Sequence, residues 1–194
     1  MFGFDSNEVT QIAVSMVVVA FAFSVGFLFS SRADFILAFP VILAGVGTGF
    51  VLHELAHKFV AIRYGAYARF QAWETGLILA LGMAILTRGA FVFAAPGAVY
   101  IYSRGLTRAQ NGIISAAGCF TNLVVGLAFL ALAFAAPAGS YLELLGASAA
   151  GINFFLGVFN MIPIYPLDGS KVLAWNWAAW LALALPLAFF AFVF

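Results

Sequence analysis

Charged residues are scarce in this chain. Only 8% of its 194 residues are Asp, Glu, Lys or Arg, whereas 65% are hydrophobic and the mean hydropathy is +1.12. A soluble domain of this length could not bury so much apolar surface, but a lipid bilayer accepts such surface as an outer wall. The net charge of +1 gives no basic field that would attract DNA or RNA. The composition therefore predicts an integral membrane protein that binds no nucleic acid.

Cysteine occurs once, so the chain cannot form an intramolecular disulfide. Cys119 lies in a strongly apolar run and is expected to be a small packing residue. The N-terminal residues carry acids rather than the basic region of a cleaved signal peptide, so we expect the first hydrophobic segment to be retained. No internal repeat or polar linker divides the chain, and we expect one membrane-embedded domain over residues 1–194.

Long apolar segments are abundant, and a helix needs roughly 20 such residues to cross a bilayer. The sequence predicts spans near 11–31, 35–57, 110–136, 142–163 and 172–194. The shorter apolar segment 76–87 is either a tilted span or half of a re-entrant hairpin. The expected fold class is therefore an all-α polytopic membrane protein with about six membrane segments.

One segment has the composition of extended chain. Residues 90–100 are rich in aromatic and branched side chains, with a Pro-Gly turn signal in the middle. Lipid satisfies no backbone N–H or C=O group, so extended chain at membrane depth must be paired or must line a water-filled cavity. We expect this segment to be such a short extended or re-entrant element.

Basic residues predict the orientation. With the spans arranged as hairpins, six of the eight lie on one side, and only Arg32 and Arg88 lie on the other. The positive-inside rule makes the side with six cytoplasmic. It carries Lys58, Arg63, Arg69, Arg104, Arg108 and Lys171.

Both histidines of the chain lie in the motif His53-Glu54-Leu55-Ala56-His57, at the end of an apolar run. Residues i and i+4 share one helical face, so both imidazoles can bind one metal ion while Glu54 points toward a metal-bound water. Ionisable residues at membrane depth are costly and usually functional. The alternative is that both histidines lie at the interface and extend toward water.

Catalytic zinc normally takes three protein ligands, so a carboxylate is still needed. Asp168 follows the inward-running span 142–163, after two prolines that stop the helix. It is therefore expected at the depth of the histidine pair. Its alternative role is to cap a helix beginning near Ser170. Glu74 is the rival ligand. The other acids are expected in the terminal tail, in the opposite turn or at an outer helix end: Asp5, Glu8, Asp34 and Glu143.

Together these motifs resemble the site-2 protease family of intramembrane zinc metalloproteases, and its compact archaeal members in particular. The resemblance is carried by the His53 to His57 motif, by Gly118 and Asn122, and by the segment from Asn160 to the Leu-Asp-Gly at 167–169. Where the family usually has proline after the glycine, this chain has Cys119.

The resemblance implies a role for each site residue. His53, His57 and Asp168 would bind one Zn²⁺ per chain, Glu54 would be the general base, and Asn160 would position the substrate backbone or stabilise the oxyanion. From the residues alone, Asn122 is expected to form an interhelical hydrogen bond.

The predicted function is an intramembrane zinc metalloendopeptidase whose active site lies toward the cytoplasmic side. Its substrate would be a transmembrane helix of another protein, unwound locally before cleavage. Residues 90–100 could pair with the unwound strand by β-augmentation, or could simply pack as a re-entrant hairpin. The alternatives are a divalent-metal transporter and an inactive relative that binds membrane partners.

Overall fold

The structure is a computed structural model, described over residues 3–92, 96–103 and 105–193. The described residues form helices and one small sheet. The helices are α1 (Ser6–Ser30), α2 (Arg32–Val46), α3 (Leu52–Arg63), α4 (Glu74–Leu86), α5 (Arg108–Ala135), α6 (Tyr141–Asn160), α7 (Asp168–Trp175) and α8 (Trp177–Val193). A π-helical turn over Gly47–Val51 joins α2 to α3. The strands are β1 (Tyr67–Ala72) and β2 (Gly97–Tyr102).

Four helical segments are long and apolar enough to cross a membrane: Ser6–Ser30, Arg32–Arg63, Arg108–Ala135 and Tyr141–Asn160. α4 and α8 are shorter apolar helices. Because the described chain is mostly helix with little sheet, the predicted all-α membrane fold class is confirmed. The count of about six membrane segments stays a prediction.

Polar side chains set where several helices begin. Asp5 caps α1 by accepting a hydrogen bond from the Glu8 N–H, and Ser140 caps α6 in the same way through Glu143. At α5, Thr107 and Gln110 form a reciprocal capping box. The interior of these helices is apolar, so the caps mark the ends of the membrane-length segments.

The predicted single span 172–194 is wrong, because the chain forms two helices there. Asn176 is extended, with φ −154° and ψ 113°, and it separates α7 from α8. Its Oδ1 accepts hydrogen bonds from the N–H groups of Ala178 and Ala179 at 2.9 and 3.1 Å. Asn176 therefore caps α8, and the short helix α7 ends before the apolar segment begins.

The sheet has two antiparallel strands, with Phe70 of β1 opposite Val99 of β2. Extended chain was predicted at 90–100, whereas the strand covers 97–102. Residues 90–92 lie outside the strand, and residues 93–95 lie outside the described part of the chain. The strand satisfies its backbone by pairing with β1, a strand that the sequence analysis did not predict.

Two apolar clusters hold the surrounding helices and the sheet together. On one side, Val19 of α1, Val46 of α2, Phe50 of the π-turn and Phe70 of β1 pack together. On the other side, Cys119 of α5 packs in a cluster with residues of α6, α7 and α8, and this confirms its expected packing role. α5 contacts α3, α6 and α7 and so connects the two parts of the site described below.

Candidate metal centre

Three potential metal ligands converge between α3 and the start of α7. The His57 Nε2 lies 2.9 Å from the Asp168 Oδ2, and the His53 Nε2 lies 3.2 Å from the same oxygen. The two Nε2 atoms are 2.9 Å apart. All three residues are buried, and their ligand atoms form a group that could hold one metal ion. The i, i+4 spacing on one helical face brings the imidazoles together, as the sequence predicts.

The second nitrogen of each imidazole is bonded elsewhere. The His53 Nδ1 lies 2.6 Å from the Asn122 Oδ1, and the His57 Nδ1 lies 2.7 Å from the Ile114 carbonyl oxygen. Both oxygens only accept, so each Nδ1 must carry the proton and donate it. Each unprotonated Nε2 is then free to face the other ligands. These tautomers fit a zinc site with two nitrogen donors and one carboxylate.

Asp168 is the first residue of α7, and its side chain points to the imidazoles. Burial by itself would raise the pKa of Asp168, but in the metal-free site the charge of a protonated His57 and the hydrogen bonds with both imidazoles hold that pKa well below its usual range. The Lys171 Nζ lies 3.3 Å from the outer oxygen, Oδ1. The alternative that Asp168 serves as an N-cap is wrong, since the N-cap is Leu167 and it makes no side-chain cap bond.

The chain between α6 and α7 is tightly folded, and Gly169 permits this. A Cβ at position 169 would lie 2.1 Å from the Met161 carbonyl oxygen. No side chain fits there, so glycine is required for α7 to start close to the end of α6. The same carbonyl accepts a hydrogen bond from the Trp180 Nε1 at 2.9 Å, which ties α8 to this loop.

Glu54 lies beside the three ligands, not among them. It is 8% exposed, and its Oε2 accepts a hydrogen bond from the Val99 N–H of β2 at 3.0 Å. Both Glu54 and the ligand group line a cavity of about 660 Å³. A carboxylate held at the wall of this cavity, next to the ligand group, can accept a proton from a molecule that enters.

Of the two remaining candidate residues, Asn160 lies at the cavity and Glu74 lies at the start of α4. Asn160 lines the same cavity, and its Nδ2 donates a hydrogen bond to the Leu156 carbonyl oxygen one turn earlier, at 2.9 Å. The rival ligand Glu74 is exposed at the start of α4, outside the group of three.

Two residues of α5 support the imidazoles in ways that the sequence analysis missed. Asn122 does form the expected interhelical bonds, but one partner is a metal-ligand candidate, His53, and another is the Gly49 carbonyl oxygen of the π-turn, 2.7 Å from Nδ2. At Gly118, a Cβ would lie 2.5 Å from the His57 ring and 2.7 Å from the His53 ring. The sequence did contain a signal for these roles, because Gly118 and Asn122 are spaced i, i+4 in an apolar helix.

Glu8 was expected in a terminal tail, and that expectation is wrong. Its partner is Lys58, one of the basic residues predicted on the cytoplasmic side. Lys58 is 2% exposed, and its Nζ lies 2.7 Å from both Glu8 carboxylate oxygens. Glu8 lies in the first turn of α1. Arg104, another of the six basic residues, lies outside the described part of the chain.

Comparison with known proteins gives three relatives. The chain is 42% identical over 188 residues to putative zinc metalloprotease MJ0611 of Methanocaldococcus jannaschii. The aligned region covers 96% of this chain and 94% of the relative. It is 30% identical to putative zinc metalloprotease Rip2 of Mycolicibacterium smegmatis, over 72% of this chain and 58% of the relative. It is 25% identical to putative zinc metalloprotease YwhC of Bacillus subtilis, over 69% and 68%. No family model and no solved structure matches the chain.

Proposed function

Because this chain belongs to the site-2 protease-like family of zinc metalloproteases, we propose that it is an intramembrane endopeptidase that cleaves the transmembrane helices of other membrane proteins. One observation carries the proposal most directly. Two imidazoles and the carboxylate beside them lie on a helical segment of membrane-spanning length, and they meet the Asp168 carboxylate in a buried site. Costly ionisable groups in such a place are typical of a reaction centre.

Zinc is the metal of this family, and the tautomers of both histidines fit it. His53, His57 and Asp168 would hold one ion. When bound, zinc supplies Lewis acidity toward a water molecule and a carbonyl group.

The residues of the chain have separate roles around that ion. Glu54 accepts the proton of the attacking water and later returns it to the leaving amine. The Val99 N–H fixes one Glu54 oxygen, so the carboxylate is held in place before substrate enters. Asn160, at the end of α6, lines the cavity and positions the substrate backbone or stabilises the developing oxyanion.

The edge of the sheet that faces the cavity supports an extended substrate, on either side of the Val99 N–H that Glu54 holds. The outer edge of β1 is already bonded to α1, since Glu8 accepts from the Phe70 N–H at 2.9 Å and Gln11 accepts from the Ala72 N–H at 2.8 Å. Residues 97–101 of β2 instead line the cavity that holds the ligand group. An unwound substrate segment would therefore add to β2 by β-augmentation, beside the metal centre.

We place this single domain across the membrane several times, with the active site toward the cytoplasm. The Gly26 of α1 lies against Arg88 and Gly89, at the end of α4. This contact supports a common side for Arg32 and Arg88, opposite the other basic residues, and the positive-inside rule then orients the chain.

Incubation of purified protein with a panel of membrane-spanning peptides tests the proposal. We expect cleavage that a zinc chelator abolishes and that added zinc restores. Asp168→Asn should lower both zinc content and cleavage, whereas Glu74→Gln, an acid-to-amide change at an exposed position, should lower neither. Cleavage that survives complete zinc removal would contradict the proposal. Metal flux in proteoliposomes without cleavage would instead identify a transporter.

A further inference from the structure

The two strands of the sheet are held from outside by two carboxylates at the same level. Phe70 and Val99 are direct partners in the register. The Phe70 N–H is donated to Glu8 at 2.9 Å, and the Val99 N–H is donated to Glu54 at 3.0 Å. Because both N–H groups point away from the opposite strand, this is a non-hydrogen-bonded pair of the antiparallel ladder. The two carboxylates therefore face each other across the width of the sheet.

Glu8 also links the sheet back to the metal-binding helix. The Lys58 Nζ contacts both oxygens of Glu8 at 2.7 Å, and the two side chains are only 2–3% exposed. The same Nζ donates to the Gly3 carbonyl oxygen at 2.9 Å and lies 3.9 Å from the centre of the Phe4 ring. Lys58 follows Glu54 by four residues, so both side chains leave α3 on the same face.

These contacts form a closed ring. From α3, Glu54 reaches the edge of β2 directly, and Lys58 reaches the edge of β1 through Glu8. The geometry points to Glu8 and Lys58 as positioning residues for the Glu54 carboxylate, an inference that rests on the catalytic role proposed above for Glu54. They hold the sheet at a fixed distance from α3, so that the Val99 N–H stays bonded to the base.

The energetics of buried ions favour a positioning role. Removing a lysine and a glutamate from water is costly, and a buried ion pair often adds no net stability over apolar residues. Such a pair can instead define a unique arrangement of the elements that carry it. Here those elements are α1, β1 and the helix of the catalytic base.

The metal ligands do not depend on this ring. The His53 Nδ1 is bonded to Asn122 and the His57 Nδ1 to the Ile114 carbonyl oxygen, and both of these partners belong to α5. Disruption of the ring should therefore change the position of Glu54 and leave zinc binding intact. This separation distinguishes positioning of the base from general damage to the site.

Three variants and one control test the inference. Glu8→Gln leaves Lys58 without its charged partner, and Lys58→Met leaves Glu8 without its partner. The double variant Glu8→Gln/Lys58→Met buries no unpaired charge, so it should fold better than either single variant. The control is Asp5→Asn, which removes a charge from an exposed ion pair to Arg69 on the same strand, at 3.2 Å. Asparagine keeps the N-cap that Asp5 provides.

The readouts are zinc content, kcat and KM on a membrane-spanning peptide, thermal stability, and hydrogen exchange of residues 97–102. We expect the double variant to regain stability but to keep a kcat lowered by about tenfold or more. Its zinc content should stay within about twofold of wild type, and residues 97–102 should exchange faster. The control should match wild type in every readout.

Several outcomes would overturn the inference. A merely structural ion pair would let kcat recover together with stability in the double variant. A lower kcat with unchanged exchange at 97–102 would show that the pair does not act through the sheet. If wild type and control cut no peptide, the proposed function fails, and hydrogen exchange then decides alone: unchanged exchange in all three variants contradicts the ring.

Discussion

At the scale of single residues, the metal centre depends on space as much as on ligands. Gly118 lies against both imidazoles, and any Cβ at that position would collide with the two rings. Sequence spacing identifies the histidines, but it does not reveal which residue of another helix makes room for them. Glycine at 118 is therefore expected to be as important for zinc binding as a ligand is.

Gly118→Ala should lower zinc affinity by at least about tenfold, because the new methyl group must displace His53 or His57. Competition with a chelator measures the affinity. Gly82→Ala is the matched control, since nothing lies within 4 Å of a Cβ at position 82 of α4. Equal zinc affinity in the two variants would show that the imidazoles can shift at little cost.

Asn122→Ala should also weaken zinc binding, by about 10- to 100-fold, because it removes the oxygen that holds the His53 ring and its tautomer. The same chelator competition reports the change. Thr121→Ala serves as the control, because the hydroxyl of this neighbour donates to the Ala117 carbonyl oxygen of its own helix. Unchanged affinity in Asn122→Ala would mean that the ring is oriented without this bond.

At the scale of elements, local sequence patterns could be predicted well, whereas contacts between residues far apart in the sequence could not. The helices and the His53 to His57 pair follow from apolar runs and from i, i+4 spacing, both of which are local. Asp168 could be predicted as a ligand because the length of the span 142–163 sets the depth at which that span ends. Glu8, by contrast, was assigned to a tail, since nothing in the local sequence shows that it meets Lys58, 50 residues away. Strand β1 was missed for the same reason: a short strand is stabilised by its partner.

The division between α7 and α8 depends on one side chain. Asn176→Ala should destabilise the protein by about 1 kcal/mol, because it removes the cap of α8. Thermal unfolding in detergent measures the loss, and zinc content should not change, since Asn176 makes no contact with the ligands in the described hydrogen bonds. The exposed Asn7→Ala on α1 should stay within about 0.5 kcal/mol of wild type. An equal effect of the two substitutions would contradict the capping role.

At the scale of the whole molecule, the proposed orientation requires the helices to alternate in direction across the membrane, with α3 and α7 meeting toward the cytoplasmic side. In a Cys119→Ser background, single cysteines at the exposed positions Arg63 and Arg108 should react with an impermeant reagent from the cytoplasmic side. A cysteine in place of the exposed Arg88 should react only from the other side. Labelling of positions 63 and 108 from opposite sides would contradict the orientation.

On the proposed function, the membrane domain as a whole holds one carboxylate, Glu54, beside one zinc ion. Glu54 is bonded to the sheet and is not one of the three ligands, so the nearly isosteric change Glu54→Gln should preserve the fold and the metal. It should remove only the proton acceptor.

Cleavage of one membrane-spanning peptide should be compared between wild type and Glu54→Gln, with zinc measured in the same samples. We predict equal zinc content and a cleavage rate lowered by about 10²- to 10⁴-fold in the variant. Undiminished cleavage by zinc-loaded Glu54→Gln would contradict the account.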